Sequence, residues 1–216
     1  NAVGLAVMKQ KLDAATGDRK AELETAFKDA TNGMTKEQIN AKIEEGEDLI
    51  KLPGAAAVVA ARERLRAANE AVTKAEADCA ARKIDPSVYV NGRLAPDMLP
   101  LKVQIGIMTD QAKGGASRLA GQEPPKWADD EATFADLHAR IAKTIAHLKT
   151  FKASQFDGAE TRAIELKFPN ATFNFTGKDY FLGFLIPNFY FHYTTAYAIL
   201  RHNGVPIGKQ DFLGGR

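Results

Sequence analysis

From Ala55 to Lys83 the chain carries neither glycine nor proline, and Val58, Leu65, Val72 and Cys79 recur at every seventh position. Ala61, Ala68 and Ala75 fall three positions on from the first three of these. An unbroken seven-residue apolar repeat commits this stretch to one long helix. Alanine along the seam lets a neighbouring backbone come close, which suits an antiparallel bundle better than an isolated coiled coil. Cys79 lies on the seam and reads as a buried small hydrophobe, because no histidine or basic cluster surrounds it in sequence. It is the sole cysteine, so no intramolecular disulfide can form, and an intracellular, reducing compartment is expected.

Further helices follow from the same periodicity. Leu101 to Ala120 reads as a second bundle helix with Val103, Ile107 and Met108 on its apolar face, stopped by Gly121 and Pro124-Pro125. A third is predicted from about Asp130 to Phe151, with Phe134, Leu137, Ile141, Ile145 and Leu148 at helical spacing. The period then changes to two. Ala163 to Phe168 and Thr172 to Phe175 alternate around Pro169-Asn170, which predicts a β-hairpin. The last helix, about Lys178 to His202, is apolar nearly all round and should be central, with a kink at Pro187 and an end at Asn203-Gly204.

Residues 1–53 differ in composition. They hold eight basic and ten acidic side chains and one aromatic, Phe27, whereas the remaining 17 aromatics lie later. The shift places a boundary near Leu52-Pro53-Gly54 and divides the chain into an N-terminal helical extension, 1–53, and a bundle domain, 54–216. Asp18 to Ala30 and Lys36 to Ile50 read as two short helices, the second opened by a Thr35-x-x-Gln38 capping box and carrying Ile39, Ile43 and Ile50 on one face. Stripes this narrow do not hold short helices alone in water. The segment must dock on its own body, on a protein partner, or on a second copy of the chain. The sequence begins at Asn1: a processed terminus would fit organelle import, and a simple boundary fits equally.

Several function classes are excluded by composition. Net charge is +2 and 45% of the residues are hydrophobic, so neither a disordered tail nor a basic nucleic-acid arm is expected. Ten aromatics fall between Phe173 and Tyr197, but only Lys178 joins them there, with Arg201 beyond, too few cations for a single-strand nucleic-acid surface. Core packing accounts for most of this cluster, and a partner or hydrophobic ligand for the rest. No apolar run approaches the roughly 20 residues that span a bilayer. There is no phosphate loop, zinc spacing or nucleophile elbow.

Arg93-Leu-Ala-Pro-Asp-Met98, Phe156-Asp-Gly-Ala-Glu160, the long run Pro187 to Gly204 and Gly208-Lys-Gln-Asp-Phe-Leu213 closely resemble a domain-of-unknown-function family within the DinB/YfiT-like superfamily. The resemblance spans roughly residues 57–214. It implies a mainly α fold, a DinB-like four-helix bundle of up-down-down-up type, here with a small β-hairpin before the last helix and an extra N-terminal helical segment. Better-known superfamily members hold a divalent metal with three histidines, one on the second helix and a pair four residues apart on the last. Residues four apart share a helix face, so two imidazoles can reach one ion.

Aligned on the Leu-Arg-x-Asn-Gly ending, that pair falls at Asn188 and His192. The second-helix equivalent is Gln104, with Asp110 six residues on. One histidine stands where three are expected, and neutral carboxamides are weak donors to zinc or nickel. Gln104, Asn188, His192 and Asp110 therefore read as a polar cluster fixing helix register, or as a degenerate metal site in which His192 is the ligand. His138 and His147, nine apart on the third helix, are expected at the surface, and His202 in the last turn complements the helix dipole.

Two functions remain open. One is a non-catalytic binding or structural module, an accessory subunit of a larger assembly, needing no cofactor. The other is a metal-dependent enzyme resembling the superfamily's thiol transferases or hydrolases, with a divalent ion at the degenerate site.

Overall fold

The computed structural model describes residues 2–50 and 54–215, without the side chains of 2–4, 6, 7, 10 and 44–50. Asn1, Leu52, Pro53 and the side chain of Ile50, on which the terminus, boundary and apolar-face expectations rest in part, lie outside the described residues.

Four long helices make the bundle: α4 (Ala55–Arg82), α6 (Leu101–Leu119), α7 (Phe134–Leu148) and α9 (Ile186–His202). α6 packs beside α9 and α7, and α4 closes the square by packing beside the same two. The seam of α4 is buried at Val58, Leu65, Ala68, Val72, Ala75 and Cys79, and burial pushes the Cys79 thiol pKa up, as for an inert small hydrophobe. Ala67 and Ala71 are buried too, because two neighbours press on the helix and its covered face is wider than one seam. At its end Lys83 turns left-handed, φ 55°, and the Ile84 N–H closes on the Cys79 carbonyl at 2.9 Å. The short α5 (Pro86–Val90) follows, capped by Asp85.

The face expected on α6 is displaced. Met108 is buried, but Val103 and Ile107 are only partly so, while Leu101, Ile105, Ala112 and Leu119 are fully covered. A helix wedged between two others buries more than one stripe, and reading a single stripe missed the side that meets α9. α7 starts later than expected because Thr133 is its cap: the Thr133 hydroxyl accepts from Asp136 N at 3.2 Å and the Asp136 carboxylate accepts from Thr133 N at 2.9 Å. Phe134, Leu137, Ile141 and Leu148 are buried and Ile145 partly so.

The hairpin has the expected bounds within a residue: β1 (Ala163–Phe168) pairs antiparallel with β2 (Ala171–Thr176), with Phe168 opposite Ala171 across Pro169-Asn170. Ile164 and Leu166 face the core and β2 is mostly exposed. The final helical run is built in three parts: α8 (Gly177–Asp179), a π-helical turn over Tyr180–Leu185, and α9. The irregularity expected at Pro187 is taken up in the turn before it, since proline offers no N–H to the preceding carbonyls and a wider turn re-pairs them. α9 is central on one side only: Phe189, Tyr193, Ala196, Ile199 and Leu200 are buried, whereas Tyr190 and Phe191 are exposed. The short α10 (Lys209–Leu213) is buttoned to α4, with Lys74 on Asp211 at 2.5 Å and Arg64 donating to the Phe212 carbonyl at 3.1 Å.

Before the bundle stand α1 (Ala2–Ala14), α2 (Gly17–Ala30) and α3 (Lys36–Ile50). α1 was not expected, because an alanine-rich run without a clear apolar stripe gives no periodic signal. It packs chiefly on α3 and α2. The Thr35/Gln38 capping box is formed, at 2.9 and 3.2 Å.

Candidate functional site

Because α6 and α9 lie side by side, Gln104 and His192 meet. His192 Nδ1 is 2.7 Å from Gln104 Oε1, and Gln104 Nε2 donates to the Leu99 carbonyl at 3.0 Å. The second bond orients the carboxamide, so its oxygen faces the ring and His192 must be the Nδ1–H tautomer, donating to it. Nε2 is left as the acceptor. Gln104 is 1% exposed and His192 half-buried, and burial holds the imidazole pKa below its ordinary value. The pair is a neutral hydrogen-bonded clamp between two helices.

The other two residues grouped with it from sequence are bonded elsewhere. Asn188 turns its amide back along its own helix, Nδ2 donating to the Phe184 carbonyl at 2.7 Å beside the π-helical turn. Asp110 faces α7, with Lys113 Nζ at 2.6 Å and Arg140 at 2.8 Å. Six residues turn a helix through about 600°, so Gln104 and Asp110 stand about 120° apart on α6 and cannot serve one site.

Asp110 instead belongs to a cluster that sequence reasoning missed. Arg140, its side chain 3% exposed, donates to Thr109 Oγ1 at 3.0 Å, the Ala128 carbonyl at 2.7 Å, Glu131 at 2.9 Å, Asp110 at 2.8 Å and Asp129 at 3.0 Å. Lys113 and Lys143 each place Nζ 4.5 Å from the Trp127 ring centre. The signal was present: Arg140 falls on the Leu137/Ile141/Thr144 face of α7, where a charge is out of pattern. A cavity of about 250 Å³ opens beside this cluster, lined by Lys102, Val103, Ile107, Asp110 and Glu131.

His138 and His147 are not surface residues as expected. His138 is part-buried against α4, with Nδ1 2.7 Å from Asn69 Oδ1. His147 contacts Ser117 Oγ at 3.1 Å and stands edge-on to Trp127 and Phe151. Burial, reinforced by the Lys113 ammonium, lowers its pKa. His147 and His192 thus both titrate below 6.5 in the folded chain. Once unfolded they take up protons more readily, so stability is full above about pH 6.5 and declines as pH falls below it. Urea midpoints at pH 7.5 and 5.5 measure this, and replacing both residues by glutamine is expected to flatten the difference. An undiminished difference would assign the acid sensitivity to other groups.

A divalent transition ion does not fit these donors. Both ends of the Gln104 carboxamide are engaged, the Asn188 amide is turned away, and Asp110 faces another helix. One imidazole nitrogen, His192 Nε2, remains. Among the described residues no three of His, Cys, Asp or Glu stand together as a set for an ion. Nor is any described helix long and apolar enough to cross a membrane.

Comparison with known proteins adds two findings. The family described as Domain of unknown function (DUF1993) matches residues 54–213. The crystal structure of a DinB family member protein from Shewanella denitrificans is similar at 42% identity and a TM-score of 0.69, covering 74% of this chain and 90% of that one. No curated protein matches.

Proposed function

Starting from the fact that the chain belongs to this domain-of-unknown-function family with a DinB-like fold, we propose that it is a non-catalytic helical bundle serving as a binding or structural module, an accessory subunit of a larger assembly. The observation that carries the reading is the Gln104–His192 clamp. At the position where the superfamily resemblance implies three metal-binding histidines, two side chains satisfy each other and a backbone carbonyl. The Gln104 carboxamide is taken up in joining α6 to α9, and the one nitrogen left open, His192 Nε2, is a single donor where a structural or catalytic zinc takes three or four.

The same reading divides the chain into 1–53 and 54–216 and gives the first segment the role of engaging a protein partner or a second copy. It is supported by the start of the family match at residue 54, by the packing of α1 on α3 and α2, and by α2, which buries none of its residues. A helix with no buried side chain gains little from the body it belongs to.

Elemental analysis with native mass tests the proposal. The expected result is no stoichiometric zinc, nickel or iron and a mass well above 23.5 kDa. Deleting residues 1–53 should leave a folded bundle of lower native mass. His192→Ala should keep the helical signal and cost about 1–2 kcal/mol, the loss of one buried hydrogen bond and its now unpaired acceptor. Stoichiometric metal that disappears in His192→Ala would replace this reading with the metal-dependent enzyme. Unfolding of the shortened chain would make 1–53 part of the core and remove the partner argument.

A further inference from the structure

A second cavity lies at the head of α4, away from the Gln104–His192 clamp, with a volume of about 120 Å³. Its described wall is almost wholly apolar. Small side chains on two helices, Ala61 of α4 and Ala112 and Ala116 of α6, face Leu185 and Phe189 across the space. Leucine in place of Ala61 would put three further carbons into it. Among the described residues of the wall Arg64 alone is charged, and its guanidinium is steadied by the Phe212 carbonyl at 3.1 Å. The exposed Tyr190 also lines the space, so the wall reaches the surface.

We propose that this cavity binds a small hydrocarbon chain ending in a carboxylate, with the chain among the alanines and the anion on Arg64. Water is a poor occupant of such a space, since a buried water needs two to four polar partners, whereas apolar cavities of about 150 Å³ take up a molecule the size of benzene. A volume of about 120 Å³ therefore suits about five or six carbons. The guanidinium selects the headgroup, because its fork of N–H donors matches a carboxylate. Among the described residues of the wall the only charge is that of Arg64, which repels a cation, so amines are excluded on the same chemistry.

Titration of the full chain with butanoate, pentanoate, hexanoate, octanoate and hexan-1-ol, followed by calorimetry and by methyl NMR, tests this. Affinity should rise about fourfold per added methylene up to hexanoate, the increment for burying one CH₂, and then level off as the cavity fills. Nuclear Overhauser contacts from the chain to the methyls of Leu185 and of Leu119, which also lines the cavity, are expected in the unsubstituted protein. Arg64→Met should weaken hexanoate by about tenfold and hexan-1-ol by less than about twofold. Ala61→Leu, checked for fold by circular dichroism, should abolish both. Contacts to other methyls only, absence of any chain-length trend, or full binding by folded Ala61→Leu would each overturn the proposal. Equal loss of hexanoate and hexan-1-ol in Arg64→Met would overturn the carboxylate assignment.

Discussion

Arg140→Ala is expected to cost about 3–5 kcal/mol, the range for removing one partner from a buried ionic cluster. The substitution deletes five hydrogen bonds at once and leaves the Glu131 carboxylate, 11% exposed, without its cation. A domain of this size holds only about 5–15 kcal/mol in all, so the loss is a large share. Arg140→Lys should recover less than half, because one ammonium cannot reach Thr109, Ala128 and three carboxylates together. Asp110→Asn should cost about 1 kcal/mol or less, since that side chain is 38% exposed and its charge is shared with Lys113. Urea denaturation of the three variants measures the series. A loss below about 1 kcal/mol in Arg140→Ala would mean that the segment from Ala128 to Glu131 is held on α7 by something else.

Gly177→Ala is the second large effect, and its cause is space. A methyl at Gly177 would stand 1.7 Å from the Ala159 carbonyl oxygen and 2.9 Å from its carbon. Ala159 is fully buried, and Lys178, which follows Gly177, donates to the Glu160 carbonyl at 2.9 Å, so the two backbones are locked together where the chain enters the last helical run. Backbone cannot swing aside as a side-chain tip can. The expected loss is about 3 kcal/mol, the upper end for overpacking. Gly183→Ala is the control: it lies in the same helical run, on the π-helical turn, with nothing within 4 Å, and should be neutral or stabilise by up to about 1 kcal/mol. Equal thermal shifts for the two variants would rule out the close approach as the reason for glycine at 177.

Gly177 sits on a feature that no local pattern announces, and Arg140 on one announced only as a charge on an apolar face, which marks how far the sequence could be read. The helices α4, α6 and α7 and the hairpin were legible because each repeats an apolar period several times, and α9 because its long apolar run ends at Asn203-Gly204, whereas the Thr133 cap that starts α7 was not read. The helix α1 was not legible, since its apolar residues follow no period. On α6 the pattern gave the helix and misplaced its face, because two neighbours cover it and a single stripe describes one.

The candidate site shows the same division. Motif alignment put Gln104 and His192 at corresponding heights of two helices, and the structure joins them at 2.7 Å. It also grouped Asp110 and Asn188 with them, whereas helical phase turns Asp110 toward Arg140 and the π-helical turn engages Asn188. Arg140 was visible only as a charge on an apolar face, with nothing in the sequence to name its five acceptors.

By itself the sequence determined, to within a few residues, which stretches from Ala55 onward become the bundle helices and the hairpin, and which family the motifs resemble, because periodicity and turn chemistry act over a few neighbouring residues. Only the tertiary structure decided which polar side chains satisfy one another, where Gly177 meets Ala159, and where Ala61, Ala112 and Leu185 leave a space. Those outcomes depend on the distance between helices remote in sequence, and that distance is set by how all the side chains between them pack together.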